Sequence, residues 1–325
     1  MRRARVLLYA RIWREAVGFL GADFRCFHGS GEIEIVLDGR SVRVGPGLPL
    51  LDGAEVVAGC SDKRLVHRRL ADAGLPVLEH ATFTADDARP ALLFLAEAGC
   101  PCVLKPRSAS GGSGVTCGIR STNDLRRAAR FAGRFADTFL IERQLEGSVY
   151  RVLVLDGVAL DVVRRDPPGI VGDGSSTIAE LLLREDRRRL AAYGEAGLKP
   201  LVLDFDCLFT IRAAELGPQS VLERGRRQVV KFSTSQNAAE ENATARDELA
   251  PIVVELAIRA AEASGLRLAG VDLLVPDAET SGPRARPVVL EVNARPGLHH
   301  HYLVSGRAGA TPVARSVLSA MLSDS

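Results

Sequence analysis

The stretch "VVLEVNARPG" (288–297), read with "LAGVDLLVP" (268–276), decides the fold. Val288, Val289 and Leu290 read as a buried strand that ends in Glu291 and Asn293, two residues apart and so on one face. Asp272 lies in a second apolar strand. Three oxygen ligands at the ends of neighbouring strands suit a hard cation such as Mg²⁺, which takes few protein oxygens and completes its shell with water and phosphate. Taken singly, each of these residues would more simply end a strand or start a turn, because acidic residues are usually exposed. Features upstream change that balance.

The chain has 325 residues, enough for two domains or one domain with lobes, and 46% of it is hydrophobic. A formal net charge of +2 gives no reason to expect nucleic acid or an acidic membrane surface as partner. The opening "MRRARVLLYARIWREAVGFL" is interrupted by Arg11, Arg14 and Glu15, which argues against a signal peptide. No segment approaches the length of a transmembrane helix. Cys26, Cys60, Cys100, Cys102, Cys117 and Cys207 form no CxxC pair and are too sparse for a disulfide framework, so a reducing cytoplasm is expected. Only four lysines (Lys63, Lys105, Lys199, Lys231) stand among the 42 basic residues. A lysine kept on an arginine background points to a need for its compact ammonium.

The mixture of hairpins and helices predicts α+β lobes, not one doubly wound sheet. "RVLLYA" (5–10) reads as a first strand, and "EIEIVLDGRSVRV" (32–44) as a hairpin about Asp38-Gly39. Ser61 is the expected cap of a helix to Asp72, and Thr122 of one to Ala136. Strands are expected over 100–106 and 138–145, and a second hairpin over 149–165. "GDGSST" (172–177) leads into a charged helix. Residues 200–249 are the least patterned, and helices follow over 246–263 and 312–322. The boundaries drawn are a short N-terminal region 1–60, a small lobe 61–143 and a large lobe 144–325.

The loop "ASGGSGV" offers backbone N–H groups unobstructed by side chains, and Gly111, Gly112 and Gly114 permit the close approach a phosphate cradle requires. Alone, a flexible hairpin loop explains it equally well. Lys105 stands at a strand end beneath the loop, where it can reach phosphates. Glu142-Arg143-Gln144-Leu145 ends another strand, whose main-chain groups can read the edge of a base.

Together "SDKRLVHRRLADAGLPV", "CVLKPRSASGGSGV", "LIERQLEG", "AGVDLLV" and "LEVNARPGL" resemble the ATP-grasp superfamily in order and spacing over about residues 60–305. "RRDPPGIVGDGSSTI" (164–178) extends the resemblance to the ATP-grasp module of cyanophycin synthetase and similar peptide ligases. The resemblance implies an ATP-grasp fold, two α+β lobes clasping ATP. It implies Lys63 and Lys105 as phosphate lysines, Ser110, Gly111, Gly112, Ser113 and Gly114 as the mobile loop, and Glu142, Arg143, Gln144 and Leu145 as the adenine hinge. Asp272, Glu291 and Asn293 become ligands of Mg²⁺ or Mn²⁺. D-alanine–D-alanine ligases carry an Arg two positions before the metal Asp, where this chain has Gly270, so Arg151, Arg164, Arg165 and Arg295 are candidates to stabilise an acyl phosphate. The place of the usual ribose acid is Val149, which leaves that role to Glu146.

The activity implied is an ADP-forming ligation of an amino-acid or small-peptide carboxylate to an amine, with a homodimer as the expected assembly. A ligase acting on a protein terminus, a phosphotransferase and a non-catalytic ATP-binding protein are the alternatives. The intact lysine and metal positions weigh against the last. Substrates are expected near Lys231, Ser235 and Asn237, and beside Arg295 and His301. Three adjacent histidines, His299-His300-His301, cannot all face one zinc ion from one strand.

Overall fold

In a computed structural model the described residues are 2–27, 32–44, 51–109, 111–192, 199–276, 286–305 and 310–324. Helix α1 (Arg2–Leu20) precedes an antiparallel sheet of β1 (Asp23–Phe27), β2 (Glu32–Leu37) and β3 (Arg40–Val44), then α2 (Ala54–Gly59). The expected strand at 5–10 is therefore a helix. Its short apolar window hid the longer period: Tyr9, Ile12, Trp13, Ala16 and Val17 are buried at helical spacing. The hairpin at Asp38-Gly39 forms as read, with positive φ at both residues, 50° and 81°.

Helix α3 (Lys63–Asp72) is capped by Asp62, whose carboxylate accepts from Arg64 N–H at 3.0 Å. The cap is one residue later than Ser61. The small sheet has the order β4 (His80–Thr84), β7 (Thr138–Arg143), β5 (Cys102–Pro106), β6 (Thr116–Ile119), backed by α4 (Arg89–Ala98) and α5 (Thr122–Ala132). Ser121, not Thr122, caps α5.

The large sheet is all antiparallel, with β8 (Ser148–Leu155) and β9 (Val158–Arg165) joined by the expected hairpin, and β13 (Leu268–Val275) beside β14 (Val288–Asn293). Its order is β12 (Asn242–Thr244), β9, β8, β13, β14. Both faces are buried. Val152, Val154 and Val271 pack under α3 and α8 (Pro251–Ala263); Leu153, Leu155 and Leu268 pack toward α1 and α9 (Val313–Ser323). Val66 and Leu70 of α3 join the large-sheet core, so this helix packs outside the small sheet with which the sequence reading grouped it. Between β9 and β12 lie β10 (Gly169–Val171), α6 (Ile178–Ala191), α7 (Phe205–Ala213) and β11 (Arg227–Val229), with a core of their own. Helix α8 begins at Pro251, later than expected, with proline in its first turn. No helix among the described residues is long and apolar enough to cross a membrane.

The two sheets are joined by the turn after β7. There Gly147 has φ 154°, and a Cβ on it would lie 2.6 Å from the carbonyl oxygen of Val275. Gly147→Ala is expected to destabilise the protein by about 2 kcal/mol or more, through strain and overlap with rigid backbone. Thermal unfolding checks this; an unchanged midpoint would show that the turn relaxes freely.

Candidate active site

Register in the large sheet builds the site. Arg151 on β8 is paired with Asp272 on β13, and Asp272 with Glu291 on β14, so the three side chains form a row across one face. Asn293 follows two positions beyond Glu291 on that face. Arg165 follows two beyond Val163, which pairs with Arg151.

Arg151 binds Asp272 through one guanidinium edge, Nε to Oδ1 and Nη2 to Oδ2, each at 2.6 Å, with both side chains buried. Arg165 stands 3.7 Å from the same carboxylate. Burial raises the Asp272 carboxyl, but Arg151, Arg165 and Asn293 more than offset this and hold it below the usual range. Burial, and Arg151 beside it, bring Arg165 down to about 10. Gly270 explains the geometry: a Cβ there would meet Pro296 Cβ at 2.9 Å and Arg151 Cδ at 3.2 Å. The missing side chain at 270 is the space through which the Arg151 stem reaches Asp272.

Lys63, at the start of α3, donates to the carbonyl of Ala109 at 2.7 Å and stands 3.3 Å from Glu291. Lys105 pairs with Glu142 at 2.5 Å, and both are nearly buried. Gly111, Gly112 and Gly114 all have positive φ, between 64° and 75°. Lys199 donates to the carbonyl of Gly111 at 2.7 Å, and a Cβ on Gly112 would collide with Ser235 Oγ. The glycine loop is therefore docked on the large lobe. Ser110 lies outside the described residues; Ser113 lines the same cleft.

These groups surround one cleft of about 1310 Å³ between the sheets, which Glu146, Val149, Ser235, Asn237 and Arg295 also line. Arg143 and Gln144 line it too, but their side chains are engaged. Arg143 donates to the Ala98 carbonyl, and Gln144 accepts from Gly118 N–H at 2.7 Å. The Gln144 N–H is spent on Pro101 O at 2.8 Å, so the main-chain groups of this hinge are not all open to a base. Among the described residues no backbone hydrogen bond uses the N–H of Leu145. Arg164 is turned to Asp166 and Glu248, away from Asp272.

Two expected substrate residues do not reach the cleft. Lys231, 1% exposed, is held by Asp204 at 2.5 Å. His301, 1% exposed, shares a 2.7 Å hydrogen bond with Asp161, which Arg246 and Thr311 also bind. The three histidines lie on a 3-10 turn, Leu298–His301, which directs His299 and His300 to the cleft and His301 into the core. Arg5 and Lys199 also line the cleft and were missed. The rarity of lysine flagged Lys199; nothing local flags Arg5.

Burial raises the Asp161 carboxyl, but bonds from His301, Thr311 and Arg246 outweigh it and the group sits below its usual value. Its stabilising effect is full at neutral pH and fades as pH falls through that depressed value. His301→Ala should therefore cost about 3 kcal/mol of stability by leaving a buried carboxylate short of a partner. Denaturant unfolding at neutral pH tests this; a fully stable variant would return His301 to the list of ligand-binding groups.

A family model for the RimK-like ATP-grasp domain matches residues 224–316. Cyanophycin synthetase of Trichormus variabilis is 31% identical over 247 residues, 74% of this chain and 27% of that protein. The bifunctional glutathione-biosynthesis protein of Clostridium perfringens is 26% identical over 203 residues, 61% of this chain and 26% of that protein. A crystal structure of a bifunctional glutathione synthetase from Pasteurella multocida superposes with a TM-score of 0.57 at 21% identity, over 94% of this chain and 42% of that one. The chain thus spans about a quarter of the length of the curated relatives it matches. Two clasping sheets, a docked glycine loop and this similarity converge on one classification: the chain belongs to the ATP-grasp superfamily.

Proposed function

We propose that the protein is an ATP-dependent ligase that joins an amino-acid or small-peptide carboxylate to an amine through an acyl phosphate, releasing ADP and phosphate. One observation carries the reading. Lys63, Lys105, the glycine loop, Asp272 and Glu291 line a single cleft, with Arg151 and Arg165 on its floor.

The residues fit the nucleotide and the cation. Glu142 Oε2 is buried without a hydrogen-bond partner in the cleft wall, an acceptor suited to a base amino group. Asp272 and Glu291 are adjacent carboxylates, flanked by Arg151 on one side and Lys63 on the other. Arg151 uses only part of the acceptor capacity of Asp272, since a carboxylate has about four lone-pair sites. Among the described residues no cluster of three or more His, Cys, Asp or Glu side chains could hold a metal, so the donor set is two carboxylates and the amide of Asn293. Such a sparse oxygen set suits Mg²⁺ or Mn²⁺, which when bound would neutralise phosphate charge.

The chain's own groups do the rest. Lysines and loop amides orient the phosphates, and Arg165, Arg295 or the Arg151 edge meets charge developing on the transferred phosphoryl group. The docked loop excludes water from an intermediate that hydrolyses readily. No Ser, Cys or His nucleophile is needed. A reducing cytoplasm, which suits the free Cys60, Cys100, Cys102, Cys117 and Cys207 among the described residues, and a homodimer belong to the same proposal.

ADP and phosphate should form only when ATP, the divalent cation and a matched carboxylate–amine pair are all present. Release of AMP and pyrophosphate in that assay would overturn the reading. Lys105→Ala should weaken nucleotide binding or turnover by about thirtyfold or more, from loss of a buried charged contact.

Burial, then Arg165 and Arg5 nearby, push the Lys199 ammonium down to about 8. An anion bound in the cleft favours the charged amine and raises that value again. Affinity for a non-hydrolysable ATP analogue should thus fall as pH climbs above about 8, by at most about tenfold per pH unit. Lys199→Arg should flatten the profile; equal slopes in both proteins would remove Lys199 from the phosphate field.

A further inference from the structure

The cations of the cleft divide into two groups. Lys105, Lys63 and Arg151 each face a carboxylate, of Glu142, Glu291 and Asp272. Arg5, Lys199 and Arg295 line the same cleft, and among the described residues none of them has an ion-pair partner. Arg165 has only a share of Asp272, at 3.7 Å, and donates from Nη2 to the carbonyl of Thr234 at 3.0 Å. The Nε atoms of Arg5 and Arg165 are both buried without a hydrogen-bond partner. A buried guanidinium nitrogen left without an acceptor is costly, and its cost is removed when an anion arrives.

Arg5 is also rigidly presented. It projects from α1, whose Tyr9, Ile12 and Trp13 are at most 1% exposed, and its guanidinium lies 5.8 Å from the centre of the Tyr9 ring. The Tyr9 hydroxyl is 2.9 Å from His299 Nδ1, and the His299 and His300 rings lie with centres 4.0 Å apart, tilted by 38°. With Tyr9 donating, the ring proton of His299 sits on Nε2, which makes that atom a donor. Gly297 makes room for this: a Cβ there would crowd the His299 ring, 2.6 Å from Nδ1. Arg5, Arg165, Lys199 and His299 all line the one cleft, and burial together with the charges of Arg5, Arg151 and Arg165 holds the His299 imidazole well below its usual value.

We propose that Arg5, Arg165, His299 and His300 form a subsite for a carboxylate that the substrate keeps through the reaction, and that α1 is therefore part of the substrate-binding wall. The proposal rests on the ligase reading above. Lys63, Lys105, Lys199 and the glycine loop serve the triphosphate, so the remaining charge of Arg5 on α1 calls for a second anion. A planar carboxylate matches a guanidinium edge through two parallel hydrogen bonds, and a histidine N–H supplies a further donor. His301, which is turned into the core, takes no part.

The test uses the full chain with Mg²⁺ and a non-hydrolysable ATP analogue. Saturation-transfer NMR is recorded with an equimolar mixture of the proteinogenic L-amino acids, and with the same mixture as α-carboxamides. Carboxylates should receive signal and carboxamides at least fivefold less. Arg5→Gln should lower the carboxylate signal at least fivefold and Arg5→Lys should restore part of it, while affinity for the nucleotide analogue is unchanged. Gly297→Ala, which displaces the His299 ring and leaves Arg5 in place, should lower the signal as well. In the ADP-release assay Arg5→Gln should raise the KM of one substrate at least tenfold and leave kcat within threefold. Equal signal from acids and amides, or indifference to Arg5, overturns the subsite. Arg5-dependent binding without ADP release leaves the subsite standing and removes the ligase. ADP release that ignores Arg5→Gln does the reverse.

Discussion

The guanidinium of Arg151 lies along the Asp272 carboxylate with two hydrogen bonds of 2.6 Å, inside the large sheet and out of water. Two charges in such a place are tolerable only together, because removing either strands the other. That constraint sets the register of β8 against β13, the orientation of the acid and the absence of a side chain at Gly270. An arginine at 270 and an arginine at 151 would compete for one volume, since a Cβ at 270 already stands 3.2 Å from Arg151 Cδ. The chain meets the need for a cation at Asp272 from the neighbouring strand.

The glycine loop depends on the large lobe in a similar way. Lys63 takes the carbonyl of Ala109, and Lys199 takes that of Gly111. With those oxygens engaged by ammonium groups, the loop has its amide N–H groups left to offer an anion. Two of the chain's four lysines thus hold the loop, a third pairs with Glu142 beneath it, and the fourth, Lys231, is a core residue.

Much of the strand framework was legible because its signals are local. The turns at Asp38-Gly39 and Asp156-Gly157 carry the positive φ values that such dipeptides supply, and β13 and β14 are apolar runs broken chiefly by Asp272, Glu291 and Asn293. The row Arg151–Asp272–Glu291 was legible only in part. Its members were recognisable, but their adjacency is set by pairing over more than a hundred residues of chain. Helix α1 was misread because six apolar-rich residues fit a strand as well as a helix, and the period shows only over the longer window. His301 and Lys231 were misplaced for a related reason. A polar residue in a loop gives no local sign of whether it faces a cleft or a buried carboxylate, and here Asp161 and Asp204 decide it from elsewhere in the chain.

Helix α1 packs against α9, and both lie on the same face of the large sheet. The order of events during synthesis follows from this. The small sheet is local in sequence and can close early, whereas β8 must wait for β13, and α1 for residues after 313. Contacts of such high sequence separation form late and slowly. The apolar face of α1 can pack early only on Ile33, Ile35 and Val44 of the sheet that follows it; the part that α9 covers waits until residues after 313 have been made.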